Sequence, residues 1–108
     1  MKVCEFFSGI GGMGFALRSA GVVVDEAKSV AVDINTSAND VFRHNFPSVK
    51  VFQRGIESIS IEQLDDLNSD IWTMSPPCQP YTRQGNVLAD RDPRSSSFFY
   101  LLEGIVNF

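Results

Sequence analysis

Four glycines fall within seven residues, Ser8-Gly9-Ile10-Gly11-Gly12-Met13-Gly14, directly after the short apolar run Lys2-Val3-Cys4-Glu5-Phe6-Phe7. A strand that runs into residues without a Cβ has to turn sharply there. From Met13 onward, Ala16, Leu17 and Ala20 recur at helical spacing, and Gly21 stands where a helix stops. The unit read from these residues is strand, glycine turn, helix.

The alternation then repeats. Ser29-Val30-Ala31-Val32-Asp33 predicts a second buried strand ending in an acid. Asn35 to Phe46 predicts a helix with Ala38, Val41, Phe42 and Asn45 inward, Asn35 or Thr36 as its cap, and Pro47 just past its end. Val49 to Phe52 is a weaker third strand, and Ser60 to Leu67 a short helix with Ser60 as N-cap and Gln63 at the capping-box position. Asp70 to Met74 is a fourth strand. A polar loop covers Tyr81 to Ser97, and helical spacing resumes at Phe98, Leu101, Leu102 and Ile105. This alternation predicts an α/β fold with a parallel sheet. Right-handed crossovers place the first strand centrally, the second and third to one side and the fourth to the other. The fourth strand is then an open apolar edge, which complete domains cover. Residues 1–108 are accordingly read as the N-terminal part of a single larger domain.

At 108 residues the chain has room for one domain. Hydrophobic residues at 44% against 20% charged residues describe a packed core, not a disordered tail. Nine Lys and Arg against thirteen Asp and Glu give a net charge of −4, which excludes a strongly basic nucleic-acid clamp in this chain by itself. Its apolar stretches fall far short of the ~20 residues of a membrane span, and no signal peptide is read after Met1. Cys4 and Cys78 form neither a disulfide framework nor a zinc knuckle. The expectation is a soluble domain in a reducing compartment, the cytoplasm or the nucleus.

Gly9, Gly11 and Gly14 satisfy G-x-G-x-x-G between a strand and a helix, and Asp33 ends the second strand nineteen positions later. Glycines let a ligand approach the backbone, the helix start offers free N–H groups, and the acid can accept two ribose hydroxyls. An adenosine-type ligand fits, and NAD and S-adenosylmethionine both remain open. The extra Gly12 and the pair Phe6-Phe7 are not needed by a pyrophosphate turn and suit the methyl donor better. Cys78, after Pro76 and Pro77 at the carboxyl end of the fourth strand, is a candidate nucleophile held in one direction by the prolines. Arg83 or a helix terminus could lower its pKa. Cys4, inside an apolar strand, reads as structural. His44 reads as a surface residue, Trp72 and Phe98-Phe99-Tyr100 as packing residues, and Arg91 and Arg94 equally as phosphate contacts or as part of a solvated loop.

Phe7-Ser8-Gly9-Ile10-Gly11-Gly12 together with Pro77-Cys78-Gln79 resembles the cytosine C5-methyltransferase family. The longer Ser75-Pro76-Pro77-Cys78-Gln79-Pro80-Tyr81-Thr82-Arg83 is similar to the branch that methylates cytosine 38 of the aspartate transfer RNA. The resemblance runs through Asp92-Pro93-Arg94 to Ser97-Phe98. It implies a Rossmann-like S-adenosylmethionine-dependent methyltransferase fold, ending here after about the fourth strand. It also implies a cytosine C5-methylase that acts on tRNA, with DNA as the alternative substrate and no membrane or metal requirement. By this resemblance Cys78 is the nucleophile that adds to C6 of cytosine. Phe7, Gly9, Ile10, Gly11 and Gly12 border the methionine portion of the cofactor. Asp33 holds the ribose and Ile34 one face of the adenine, while Ile56, Glu57 and Ser75 complete this side of the pocket. Many members carry Asp just before the position of Ile56, where this chain has Gly55; the tRNA branch lacks that Asp too.

The family's Glu-Asn-Val segment does not occur among these residues, and Arg91-Asp92-Pro93-Arg94 has the wrong spacing for its Arg-x-Arg pair. A thiol without its general acid forfeits at least the ~10²–10⁴-fold such groups supply. The expectation is therefore that these 108 residues alone are inactive. Two readings from other classes stand beside this one: an NAD-binding Rossmann oxidoreductase, and a non-catalytic binding fragment.

Overall fold

The computed structural model describes residues 1–76 and 93–106, with the side chains of 98–104 in the second stretch. Four parallel strands, β1 (Val3–Phe6), β2 (Val30–Val32), β3 (Lys50–Phe52) and β4 (Ile71–Met74), form one sheet in the order β3-β2-β1-β4. This is the order expected from right-handed crossovers. Cys4 lies opposite both Val30 and Trp72, which sets β1 between its two neighbours. Because the inner strands are covered on both faces, β1 and β2 are buried at every position, so both read as mainly apolar runs, with Glu5 the one charged residue in β1.

Helices α1 (Gly12–Ser19), α2 (Thr36–Asn45), α3 (Ile61–Asp66) and α4 (Pro93–Val106) connect and follow the strands. One side of the sheet, with Cys4, Phe6, Val30 and Val32, packs with Ile56, Ile59, Leu64 and Leu101. Ala31 packs with Phe42 and Phe46 of the α2 segment in a second cluster. Tyr100 Oη donates to the Ile59 carbonyl at 2.7 Å and ties α4 to the segment before α3.

Local chemistry sets the helix ends. Asn35 caps α2 by accepting from Ala38 N at 2.9 Å, and Ser60 with Gln63 forms the reciprocal capping box of α3. After α1 the chain turns at Gly21, with φ of 82°. Three expectations need correction. Val41 is 44% exposed, not inward, and the buried α2 positions are Asn39 and Phe42. Helix α4 begins at Pro93, five positions before Phe98, as proline's fixed φ suits the first helical position. Two 3₁₀ turns, Glu26–Lys28 and Ile56–Ser58, went unread because three residues carry no periodicity.

Candidate cofactor-binding site

The carboxyl ends of the four strands lie along one edge of the sheet, where open α/β folds bind ligands. Phe7, Gly9 and Gly11 all have positive φ, 54°, 55° and 101°. Phe7 is the unusual member, since a residue with a Cβ seldom adopts that conformation and tends to do so at functional turns. The turn closes on itself through Gly11 N donating to the Ser8 carbonyl at 2.9 Å.

The glycines divide into two kinds. A Cβ on Gly11 would stand 2.4 Å from Phe46 Cε2, and one on Gly14 2.9 Å from Phe46 Cζ. These two glycines admit the Phe46 ring beneath the turn. A Cβ on Gly9 or Gly12 would meet nothing within 4 Å. Packing therefore does not demand these two, and they leave the upper side of the turn open.

Asp33 is tied to that turn. Its Oδ2 accepts from Gly9 N at 2.8 Å and its Oδ1 from Asn35 N at 2.8 Å. Each oxygen uses one lone pair in this way and keeps another for a hydroxyl donor. Ile34 beside it is 71% exposed, and Ile10 across the turn is 55% exposed. The structure thus brings Phe7, Gly9–Gly12, Asp33 and Ile34 into one open ledge with a carboxylate and exposed aliphatic side chains. Ser75 joins its edge, its N–H donating to the Phe6 carbonyl at 3.3 Å. Two candidates fit differently from expectation. The Ile56 side chain is 4% exposed and belongs to the core, so only its backbone is available. Glu57 is exposed, and a Cβ on Gly55 would stand 3.3 Å from its Oε2. Cys78 lies outside the described residues.

Glu5 was not read as a functional residue, although an acid inside an apolar strand was a visible signal. It is 5% exposed, and burial pushes its carboxyl up to about 7. The N–H groups of Gly14 and Met13, in the first turn of α1, pull the other way. The helix start thus faces an acid of the chain itself. Glu5 also borders a cavity of about 160 Å³ between α1, α2 and the sheet, walled by Leu17, Val22, Phe42 and Phe46. That cavity lies below the glycine turn and is separate from the ledge. Cys4 is structural, as expected: burial first, then the charge of Glu5, pushes its thiol up to about 12.

The comparisons with known proteins fit this geometry. The family model for C-5 cytosine-specific DNA methylases matches residues 1–108. The chain belongs to that family. A tRNA (cytosine(38)-C(5))-methyltransferase of Spodoptera frugiperda is 46% identical over 101 residues, 94% of this chain and 30% of that protein. A DNA (cytosine-5)-methyltransferase of Dictyostelium discoideum is 45% identical over 103 residues, 95% of this chain and 26% of that protein. The crystal structure of the S. pombe Dnmt2 methyltransferase superposes with a TM-score of 0.76 at 38% identity, covering 95% of this chain and 31% of that one. This C-5 methylase segment therefore spans about 30% of the length of the relatives it matches. Among the described residues no helix is long and apolar enough to cross a membrane, and no cluster of His, Cys, Asp and Glu could hold a metal ion.

Proposed function

We propose that this segment is the cofactor ledge and nucleophile loop of an S-adenosylmethionine-dependent tRNA cytosine C5-methyltransferase. The observation that carries the reading is the tether between Gly9 N and Asp33 Oδ2, which joins the glycine turn and the acid into one binding ledge. The donor supplies an electrophilic methyl group on a sulfonium. Around it, Asp33 accepts the ribose hydroxyls, Ile34 covers the adenine, and the open sides of Gly9 and Gly12 take the amino-acid portion.

In the reaction, the Cys78 thiolate forms a bond to C6 of the target cytosine, and the C5–C6 electron pair moves to C5. C5 then bonds to the methyl carbon, whose old bond pair leaves with the donor sulfur. A base removes the C5 proton, and breaking of the S–C6 bond restores the double bond. The base has to leave its stack to meet the thiol. Support for RNA over DNA comes from the naming of relatives such as those of Spodoptera frugiperda, mouse, rat and human, which are tRNA (cytosine(38)-C(5))-methyltransferases. The proposed setting is the cytoplasm or the nucleus, in keeping with the free thiol of Cys4.

The test is covalent trapping. With a 5-fluorocytosine-substituted tRNA and the methyl donor, the full-length protein should form an adduct that survives denaturation, because fluorine cannot leave as the proton does. Cys78→Ser should form none. An adduct with the corresponding DNA oligonucleotide alone would move the substrate to DNA, and an undiminished adduct in Cys78→Ser would remove Cys78 from the chemistry.

A further inference from the structure

Two asparagines of α2 reach the two arms of the ledge. Asn39 Nδ2 donates to the Asp33 main-chain carbonyl at 3.0 Å and to Gln53 Oε1 at 3.3 Å. Asn45 Nδ2 donates to the Ile10 main-chain carbonyl at 2.9 Å, across thirty-five positions of sequence. Asn39 is fully buried and Asn45 half-buried. For Asn39, whose Oδ1 is buried without a partner while its Nδ2 is bonded, the amide carries a desolvation cost, and packing alone would be served better by an apolar side chain. Phe46, the next residue along, fills the space under Gly11 and Gly14. One short helix thus fixes the strand-end acid at one point and the glycine turn at another.

We propose that Asn39 and Asn45 are positioning residues that set the two ends of the ligand bed separately, Asn39 the nucleoside end through Asp33 and Asn45 the amino-acid end through Ile10. The inference rests on the S-adenosylmethionine reading and assigns α2 a role in it. Asn39 acts on the peptide that carries Asp33 and Ile34. Asn45 acts on the peptide between Gly9 and Gly11, the part of the turn open to ligand. Neither asparagine has to touch the ligand itself.

The test uses two probes with the full-length protein: S-adenosylhomocysteine, and 5′-methylthioadenosine, which has the same nucleoside and thioether but no amino-acid half. Titration calorimetry should show Asn45→Asp, which replaces the donor by an acceptor of the same shape, weakening S-adenosylhomocysteine about tenfold, the equivalent of one hydrogen bond. Methylthioadenosine affinity should stay unchanged in that variant. Asn39→Ala should weaken both probes by one similar factor of about ten. A merely structural role would make Asn45→Asp weaken both probes alike, and that result overturns the proposal. Unchanged affinities, or a parent protein that binds S-adenosylhomocysteine but not methylthioadenosine, overturn it too. Should Asn39→Ala fail to fold, the selectivity of Asn45→Asp decides alone. A folded parent that binds neither probe overturns the cofactor reading itself and with it this proposal.

Discussion

Gly11 and Gly12 are neighbours, yet replacing each by alanine should have opposite effects on stability. At Gly11 the new Cβ would stand 2.4 Å from Phe46 Cε2 and 3.2 Å from Phe42 Cδ2, at a φ of 101°. Phe42 is 1% exposed and Phe46 4% exposed, so neither ring can simply swing into solvent. Overpacking a core costs about 1–3 kcal/mol, and an L-residue held in that backbone region a further ~1–3 kcal/mol. Gly11→Ala should therefore lose about 4 kcal/mol, a large share of the ~5–15 kcal/mol that holds a domain together. At Gly12, the first residue of α1, a Cβ meets nothing within 4 Å. There alanine should be neutral or gain up to about 0.5–1 kcal/mol from reduced backbone entropy of the unfolded chain. The same methyl group would occupy the open side of the turn, so Gly12→Ala should bind S-adenosylhomocysteine at least about tenfold more weakly despite equal or better stability. Thermal unfolding and titration calorimetry on the two variants measure both quantities. If Gly11→Ala melts with the parent, the Phe46 packing is wrong. If Gly12→Ala keeps the parent's affinity, the ligand does not lie on the turn.

Glu5 makes stability depend on pH with a definite sign. Its carboxyl titrates near 7 in the folded chain against 4.5 ordinarily, so between those values the folded state holds a proton that the unfolded state has lost. Stability should fall as pH rises through that window, by at most about 3 kcal/mol, and stay level above it. Glu5→Gln should remove that decline in urea unfolding curves at pH 5 and pH 8; an identical decline in parent and variant would contradict the assignment. Tyr100→Phe removes only the oxygen that donates to Ile59. It should lower the urea-derived stability by about 1 kcal/mol while leaving S-adenosylhomocysteine affinity intact, and a loss of affinity would mean that α4 contributes to the ledge.

Much of the fold was legible because each element carried its own local signal. The mainly apolar runs of β1 and β2 announced buried strands, and Ser60 with Gln63 announced the start of α3 before any tertiary contact was known. The strand order followed from crossover handedness. What stayed hidden depends on contacts distant in sequence. No local pattern says that Gly11 and Gly14 make room for Phe46, more than thirty positions away, while Gly9 and Gly12 face open space. Val41 is expected inward from its apolar side chain at helical spacing, while Asn39, the position buried in its stead, carries no hydrophobic signal. The buried amide of Asn39 is there for its bonds to Asp33 and Gln53. Ile56 matched a cofactor segment in sequence, but its side chain is part of the core.

The central claim is that the ledge formed by the glycine turn, Asp33 and Ile34 takes an adenosine-bearing methyl donor. Calorimetric titration of the folded protein with S-adenosylhomocysteine, with NAD as the comparison, tests it most directly. Saturable binding of S-adenosylhomocysteine that Asp33→Ala weakens is expected, with no heat from NAD. Binding of NAD alone, or no binding of either ligand by a protein that melts cooperatively, would contradict it.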